Sequence, residues 1–190
     1  MKPLNIEEKL LLLRLKKKDP EAFAQIYDLY LNPIYRFIYF KVATRQDAED
    51  LTSEVFLRLW QYTTETEDEI ENLRALIYKT ARNLVIDFYR RNAKRDLPQD
   101  LETLSTVEDE RQQSLLEQVD NKIEMKNIEA ILRQLKDDYR EVIILRFVEE
   151  LSISEMARIL DKSKGSVRVI LHRALKLARE LIKKNGNSNN

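Results

Sequence analysis

A chain of 190 residues with 33 Lys and Arg, 33 Asp and Glu, two Gly, four Pro and no Cys favours helix nearly everywhere and excludes disulfides and thiolate metal sites. Its longest apolar run, Leu10–Leu13, is too short to cross a bilayer, and Lys16–Lys18 follow that run instead of preceding it, which is wrong for a signal peptide. The expectation is a cytoplasmic protein without membrane insertion. Zero net charge hides an alternation. Residues 71–95 hold seven cations and two acids, residues 96–129 three cations and ten acids, and residues 151–190 nine cations and three acids. Two basic blocks separated by an acidic one suit phosphate binding at two places; the plainer reading is solvated helix faces.

In chain order, Asp19 before Pro20 is an acid at N-cap with proline at N1, a helix start. Phe23, Ile26, Tyr27, Tyr30 and Leu31 continue it at helical spacing. Pro33 either kinks this helix or divides it in two. A second helix covers "TRQDAEDLTSEVFLRLWQY", with Leu51, Val55, Leu59 and Tyr62 on one face and Asp47, Asp50 and Glu54 on another. The acidic "TTETEDEIEN" reads as a loop that closes on a helix start near Glu69. A third helix, "LRALIYKTARNLVIDFYRRNAKR", has Leu73, Ile77, Ala81, Leu84, Ile86 and Phe88 as its apolar positions and ends in basic residues. These helices form one bundle over residues 19–95. Residues 96–122 are rich in acids and poor in aromatics, which is linker composition.

A second helical unit spans residues 123–184, followed by a frayed tail at 185–190. "IEMKNIEAILRQL" is amphipathic, and "KDDYREVIILRFVEE" reads as a short helix with Val142, Ile143, Leu145 and Phe147 as its apolar residues. Ser152 and Glu155 are spaced for a capping box. Met156, Ile159 and Leu160 face inward, Asp161-Lys162 make a turn, and Ser163 caps the next helix, with Gly165 in its first turn. Val167, Ile170, Leu171, Ala174 and Leu175 form its inner stripe. Lys164, Ser166, Arg168, Arg173 and Lys176 lie off that stripe. Helix, tight turn, helix, with cations and a small residue at the second amino end, is the pattern that lays a helix into a major groove. The amino end also presents unpaired N–H groups to a phosphate. The fold expected overall is all-α: two small helical domains joined by an acidic linker, the C-terminal one a helix-turn-helix.

Two stretches in this order, "DAEDLTSEVFLRLW" with "LIYKTARNLVIDFYRR" and then residues 132–179, resemble the second and fourth conserved domains of sigma-70 family factors of bacterial RNA polymerase. With only an acidic linker between them, the layout is that of the small extracytoplasmic-function (ECF) type. The resemblance implies a non-catalytic specificity subunit, without cofactor or metal, that binds core polymerase and directs promoter recognition and strand opening. It implies docking on the clamp helices of the largest polymerase subunit through Asp47, Glu49, Asp50 and Glu54, with Phe56, Leu57 and Trp60 as apolar partners; Trp60 reads equally as a core residue of the bundle. It implies that Lys79, Arg82, Asn83, Arg90, Arg91, Lys94 and Arg95 meet the minus-10 element. There Asn83 offers a donor and an acceptor to an unstacked base. Tyr78 and Tyr89 are either stacking surfaces or core residues.

For the minus-35 element the resemblance implies Lys164, Ser166 and Arg168 as readers, flanked by Ser163 and Gly165. Arg173 and Lys176 lie nearer the backbone. His172 shares this region but reads first as a helix-surface or packing residue. This unit would also meet the polymerase flap, and an anti-sigma factor is an implied partner. Many members carry Trp at the position of Leu76 and Gly at that of Asp161. Many also have a basic-Ser-Arg run where this chain has Arg168-Val169-Ile170, which leaves the minus-35 sequence open. The alternative is a helix-turn-helix regulator that never binds core polymerase. The chain shows no Gly-rich phosphate loop and no nucleophile–base pair around its lone histidine, so an enzyme is the weakest reading.

Overall fold

The structure, a computed structural model, describes residues 6–66, 70–95 and 129–187. The expected linker, residues 96–122, lies outside them, as do residues 123–128.

Four helices make the first unit: α1 (Ile6–Lys16), α2 (Pro20–Tyr39), α3 (Arg45–Glu65) and α4 (Leu73–Arg95). The leucine run at residues 10–13 is part of α1, where Leu11, Leu12 and Leu15 are buried against α2 and α3. Asp19 caps α2 by accepting from the N–H groups of Glu21 and Ala22. Arg14 donates to the same carboxylate at 2.7 Å and holds it below the usual carboxylate range. Pro33 does not divide α2. Ile26, Tyr30, Ile34 and Phe37 are buried along one face, and this packing holds the helix on both sides of the missing N–H. Thr44 caps α3 through the N–H of Asp47. The expected helix start near Glu69 falls outside the described residues; α4 begins at Leu73, with Asn72 accepting from the N–H of Ala75 at 2.8 Å. Leu73, Ile77, Ala81 and Leu84 are buried as expected, whereas Val85 turns inward and Ile86 turns out.

The second unit holds α5 (described over 129–134), α6 (Asp137–Ile143), a π-helical turn (Ile144–Val148), α7 (Ile153–Ile159) and α8 (Lys164–Asn187). The helix expected to bury Phe147 instead widens into the π turn, where the N–H of Glu149 reaches the carbonyl of Ile144 at 3.0 Å. The extra residue per turn rotates the register. Ile144 and Leu145 are buried, and Phe147 is left 56% exposed. Arg140 donates to the carbonyls of Leu132, Arg133 and Leu135 and so terminates α5. The Ser152–Glu155 capping box forms as the spacing predicts. Asp161 takes the left-handed conformation at φ 50°, which Asp tolerates better than most residues. α8 runs on to Asn187, three residues into the expected tail, because extending an established helix costs far less than starting one.

Candidate nucleic-acid interface

The amino end of α8 is built by the turn before it. Ser163 accepts from the N–H of Ser166 at 3.1 Å, and the two hydroxyls lie 2.9 Å apart. Val167 and Ala174 anchor the helix on α7 and α6. That anchoring turns Ser163, Lys164, Gly165, Ser166 and Arg168 outward, and His172, Arg173 and Lys176 after them; all eight are exposed. A Cβ at Gly165 would meet only the Ser163 hydroxyl, at 3.8 Å. The chain's own packing therefore does not require glycine there. What the glycine provides is bare backbone at the helix start, open to close approach.

The basic face of α4 is in a different state. Tyr78 is fully buried, edge-on to Phe37, and its hydroxyl donates to Glu149 at 2.8 Å. Burial and the neighbouring carboxylate push that phenol above its ordinary range, so it stays protonated and keeps donating. In this arrangement it offers no stacking face. Lys79 pairs with Asp161 at 2.5 Å, and Arg82 donates to Glu141 at 3.1 Å. Asn83 is exposed. Tyr89 is partly exposed, and its hydroxyl is held by the carbonyl of Lys41 at 2.7 Å. Arg90 and Arg91 are exposed and lie beside Asp87. The side chains of Lys94 and Arg95 lie outside the described residues.

The partners of α4 come from the second unit, and other cations of the first unit join them. Lys41 donates to Glu141 at 2.5 Å with both side chains buried, 0% and 2% exposed, and lies 3.6 Å from Asp137. Arg36 meets Glu149 at 3.3 Å, and Arg74 meets Glu155 at 3.2 Å. Burial raises the Glu149 carboxyl above its usual range despite Arg36 and the Tyr78 hydroxyl. Glu155 is also raised by partial burial, but its bonds from the Ser152 hydroxyl and N–H, with Arg74, outweigh this and leave it low. The sequence reading missed this seam. Its signal was a charge in an apolar register: Glu141 precedes buried Leu145 by four residues, and Lys41 follows buried Phe37 by four.

On α3, Asp47 accepts from Thr44, Glu49 pairs with Arg45, and Glu54 pairs with Arg58, all at the surface; Asp50 is exposed. The expectation for Phe56 needs correction. It is only 3% exposed, because its ring packs against Tyr27 with centroids 4.6 Å apart. Leu57, at 51% exposed, is the projecting apolar side chain. Trp60 is half-buried, edge-on to Phe23 at 5.0 Å. Together with Pro20 these residues line an open groove of about 340 Å³ between α2 and α3.

Residues 26–95 match the family described as Sigma-70 region 2, and residues 125–177 match Sigma-70, region 4. The ECF RNA polymerase sigma factor SigW of Bacillus subtilis is 30% identical over 177 residues, covering 90% of this chain and 94% of that one. The chain belongs to the ECF sigma factors of the sigma-70 family. SigX of the same organism is 32% identical over 166 residues, covering 84% of this chain and 83% of that relative. BldN of Streptomyces coelicolor is 32% identical over 171 residues; 89% of this chain matches it, spanning 63% of BldN's length. The fold is shared with CnrH, solved in complex with the cytosolic domain of CnrY, at a TM-score of 0.70 and 19% identity, covering 94% of this chain and 98% of that one. It is shared too with RpoE of Bartonella quintana, solved with the anti-sigma factor NepR, at a TM-score of 0.66 and 20% identity, covering 86% of this chain and 98% of that one. The ECF sigma factor is all-α in its described residues, and none of its described helices is long and apolar enough to cross a membrane. Membership disfavours a regulator that never meets polymerase.

Proposed function

We infer that this sigma factor docks on the clamp helices of core RNA polymerase through α3, reads the minus-35 element with α8 and opens the minus-10 element with α4, performing no catalysis of its own. The observation that carries this is the exposed amino end of α8, with Lys164, Ser166 and Arg168 turned outward around a glycine. Cations there reach phosphates and base edges, and the helix dipole adds to them. The groove on α2 and α3 supports the docking role: Leu57 and Trp60 supply apolar contact, while Asp50 and Glu54 beside them steer and register a basic partner helix. Asn83 stands exposed on α4, where an unstacked base needs a donor and an acceptor. By extension from the RpoE–NepR and CnrH–CnrY complexes, an anti-sigma factor is a partner of this chain too, and the cytoplasm is where polymerase and promoter meet it.

Reconstitution with core polymerase tests this reading. Genomic fragments transcribed by the reconstituted enzyme should yield a small set of start sites that core polymerase alone does not use. Leu57→Asp should abolish both selective initiation and co-purification with core. Selective initiation that survives that substitution would remove α3 from the docking role.

A further inference from the structure

We propose that Val169 selects a thymine in the minus-35 element, packing against the C5 methyl group of that base in the major groove. The proposal rests on the functional reading above, because it takes α8 as the helix that enters that groove.

Val169 is an apolar side chain placed where the fold does not use it. It is 50% exposed, although Val167 two positions before it and Ala174 five positions after it are fully buried. At about 100° per residue, Val169 lies roughly 160° around the helix from Val167, almost opposite the core. Gly165 and Ser166 precede it by one turn, and His172 and Arg173 follow it by one turn; all four are exposed on the same face. Val169 is thus the apolar crest of an otherwise polar and cationic ridge. Its neighbour Ile170 packs against the core instead. Val169 also falls within the first two turns of α8, the part of a second helix that reaches base edges.

Helix stability does not account for a valine there. An exposed helix position gains from Lys, Gln, Glu or Ala, and a β-branched residue is a poorer helix former.

A major groove supplies what the fold does not. Each base pair presents hydrogen-bonding atoms there, and thymine alone adds an apolar group, its C5 methyl. Valine has no side-chain donor or acceptor with which to read the other edges. It is also short, so it reaches a base only if the helix lies deep. Gly165 permits that depth, because one turn ahead of Val169 the ridge carries no side chain, and internal packing does not require the glycine. Lys164, Arg173 and Lys176 are longer and exposed; on phosphates they supply affinity without choosing sequence. The bare turn and the exposed valine then have one explanation.

Replacing thymine by uracil removes the methyl and changes no hydrogen-bonding group, so it tests this contact alone. Promoter duplexes found by start-site mapping are made with each minus-35 thymine, on either strand, replaced singly by uracil. Holoenzyme reconstituted from the full chain is then bound to them in competition. At one position or two adjacent ones, uracil should weaken binding about fourfold, the contribution of one buried methyl group. Val169→Ser should bind the thymine and uracil duplexes equally. Serine has a helix propensity close to that of valine and the position is exposed, so helical content and co-purification with core should not change. Binding by the unsubstituted chain that is insensitive to uracil throughout the element overturns the proposal. So does a uracil penalty that persists in Val169→Ser, which would assign the methyl to another side chain, or a set of mapped elements that share no T·A pair. Holoenzyme that selects no promoter overturns the functional reading and the proposal with it, whereas a selective holoenzyme insensitive to uracil overturns the proposal alone.

Discussion

The two basic helices of this sigma factor, α4 and α8, look alike in composition and differ in situation. Each carries cations spaced along one face. On α8 those cations stand in solvent; on α4, Lys79 and Arg82 are paired with acids of the other unit and Tyr78 lies beneath them. A basic helix is thus a capacity for phosphate, and what covers it decides whether that capacity is available. The cations of α8 are available to a phosphate at once, while Lys79 and Arg82 of α4 are already engaged.

That contrast can be broken from either side. The largest effect is expected for Arg168→Ala, which should weaken binding to a cognate minus-35 duplex by about 1–3 kcal/mol if Arg168 reads a base edge. The loss should be seen in the free chain, where Arg168 is exposed. An equal loss on every sequence in a binding-specificity assay would assign Arg168 to phosphate. Asn83→Ala should cost about 1–2 kcal/mol in open-complex formation, read by permanganate reactivity of the bubble, and leave free-chain duplex binding unchanged. Unchanged permanganate reactivity would remove Asn83 from the pocket. Ser152→Ala removes a capping box and should lower the thermal stability of the second unit by about 1 kcal/mol, loosening the turn that presents α8.

The smallest effect separates the two acids of the seam. Burial raises the Glu149 carboxyl, so its neutral form is favoured in the closed protein. Glu149→Gln, which can still accept from Tyr78 and Arg36, should leave the distance between spin labels on Gln25→Cys and Arg179→Cys unchanged or shorten it. The closed form binds this proton more tightly than the open form, so closure gains as pH falls through the raised Glu149 value and down to the ordinary 4.5. Glu155 is raised by partial burial but lowered more by its Ser152 bonds, which lie within its own helix cap, so it stabilises α7 above 4.5, loses this as pH falls below that, and does not report closure. The Glu149 effect should therefore appear first on mild acidification, and in Glu149→Gln it should vanish. Arg36, Tyr78 and Arg74 are the groups facing Glu149 that offset the effect of burial.

What could be read from the sequence divides along the range of the interactions. The caps at Asp19 and Ser152, the turn at Asp161 and the outward stripe of α8 follow from residues within four positions of one another, and spacing reveals them. The seam does not: Arg82 and Glu141 are 59 residues apart, and Arg36 and Glu149 are 113 apart. Each residue alone resembles an ordinary surface charge. Phe56 was misplaced for a related reason. Helical spacing puts it beside Leu57 at the edge of the apolar stripe, and only Tyr27 on α2 decides which of the two turns in. The leucines of α1 were weighed against a membrane span, a question that bypassed their place on the bundle.

The account depends most on the closed seam yielding to the transcription machinery. Label distances between Gln25→Cys and Arg179→Cys, measured before and after saturating core polymerase, address this directly. One narrow distribution is expected for the chain alone and a longer one in the complex. A distance unchanged by bound polymerase would contradict it.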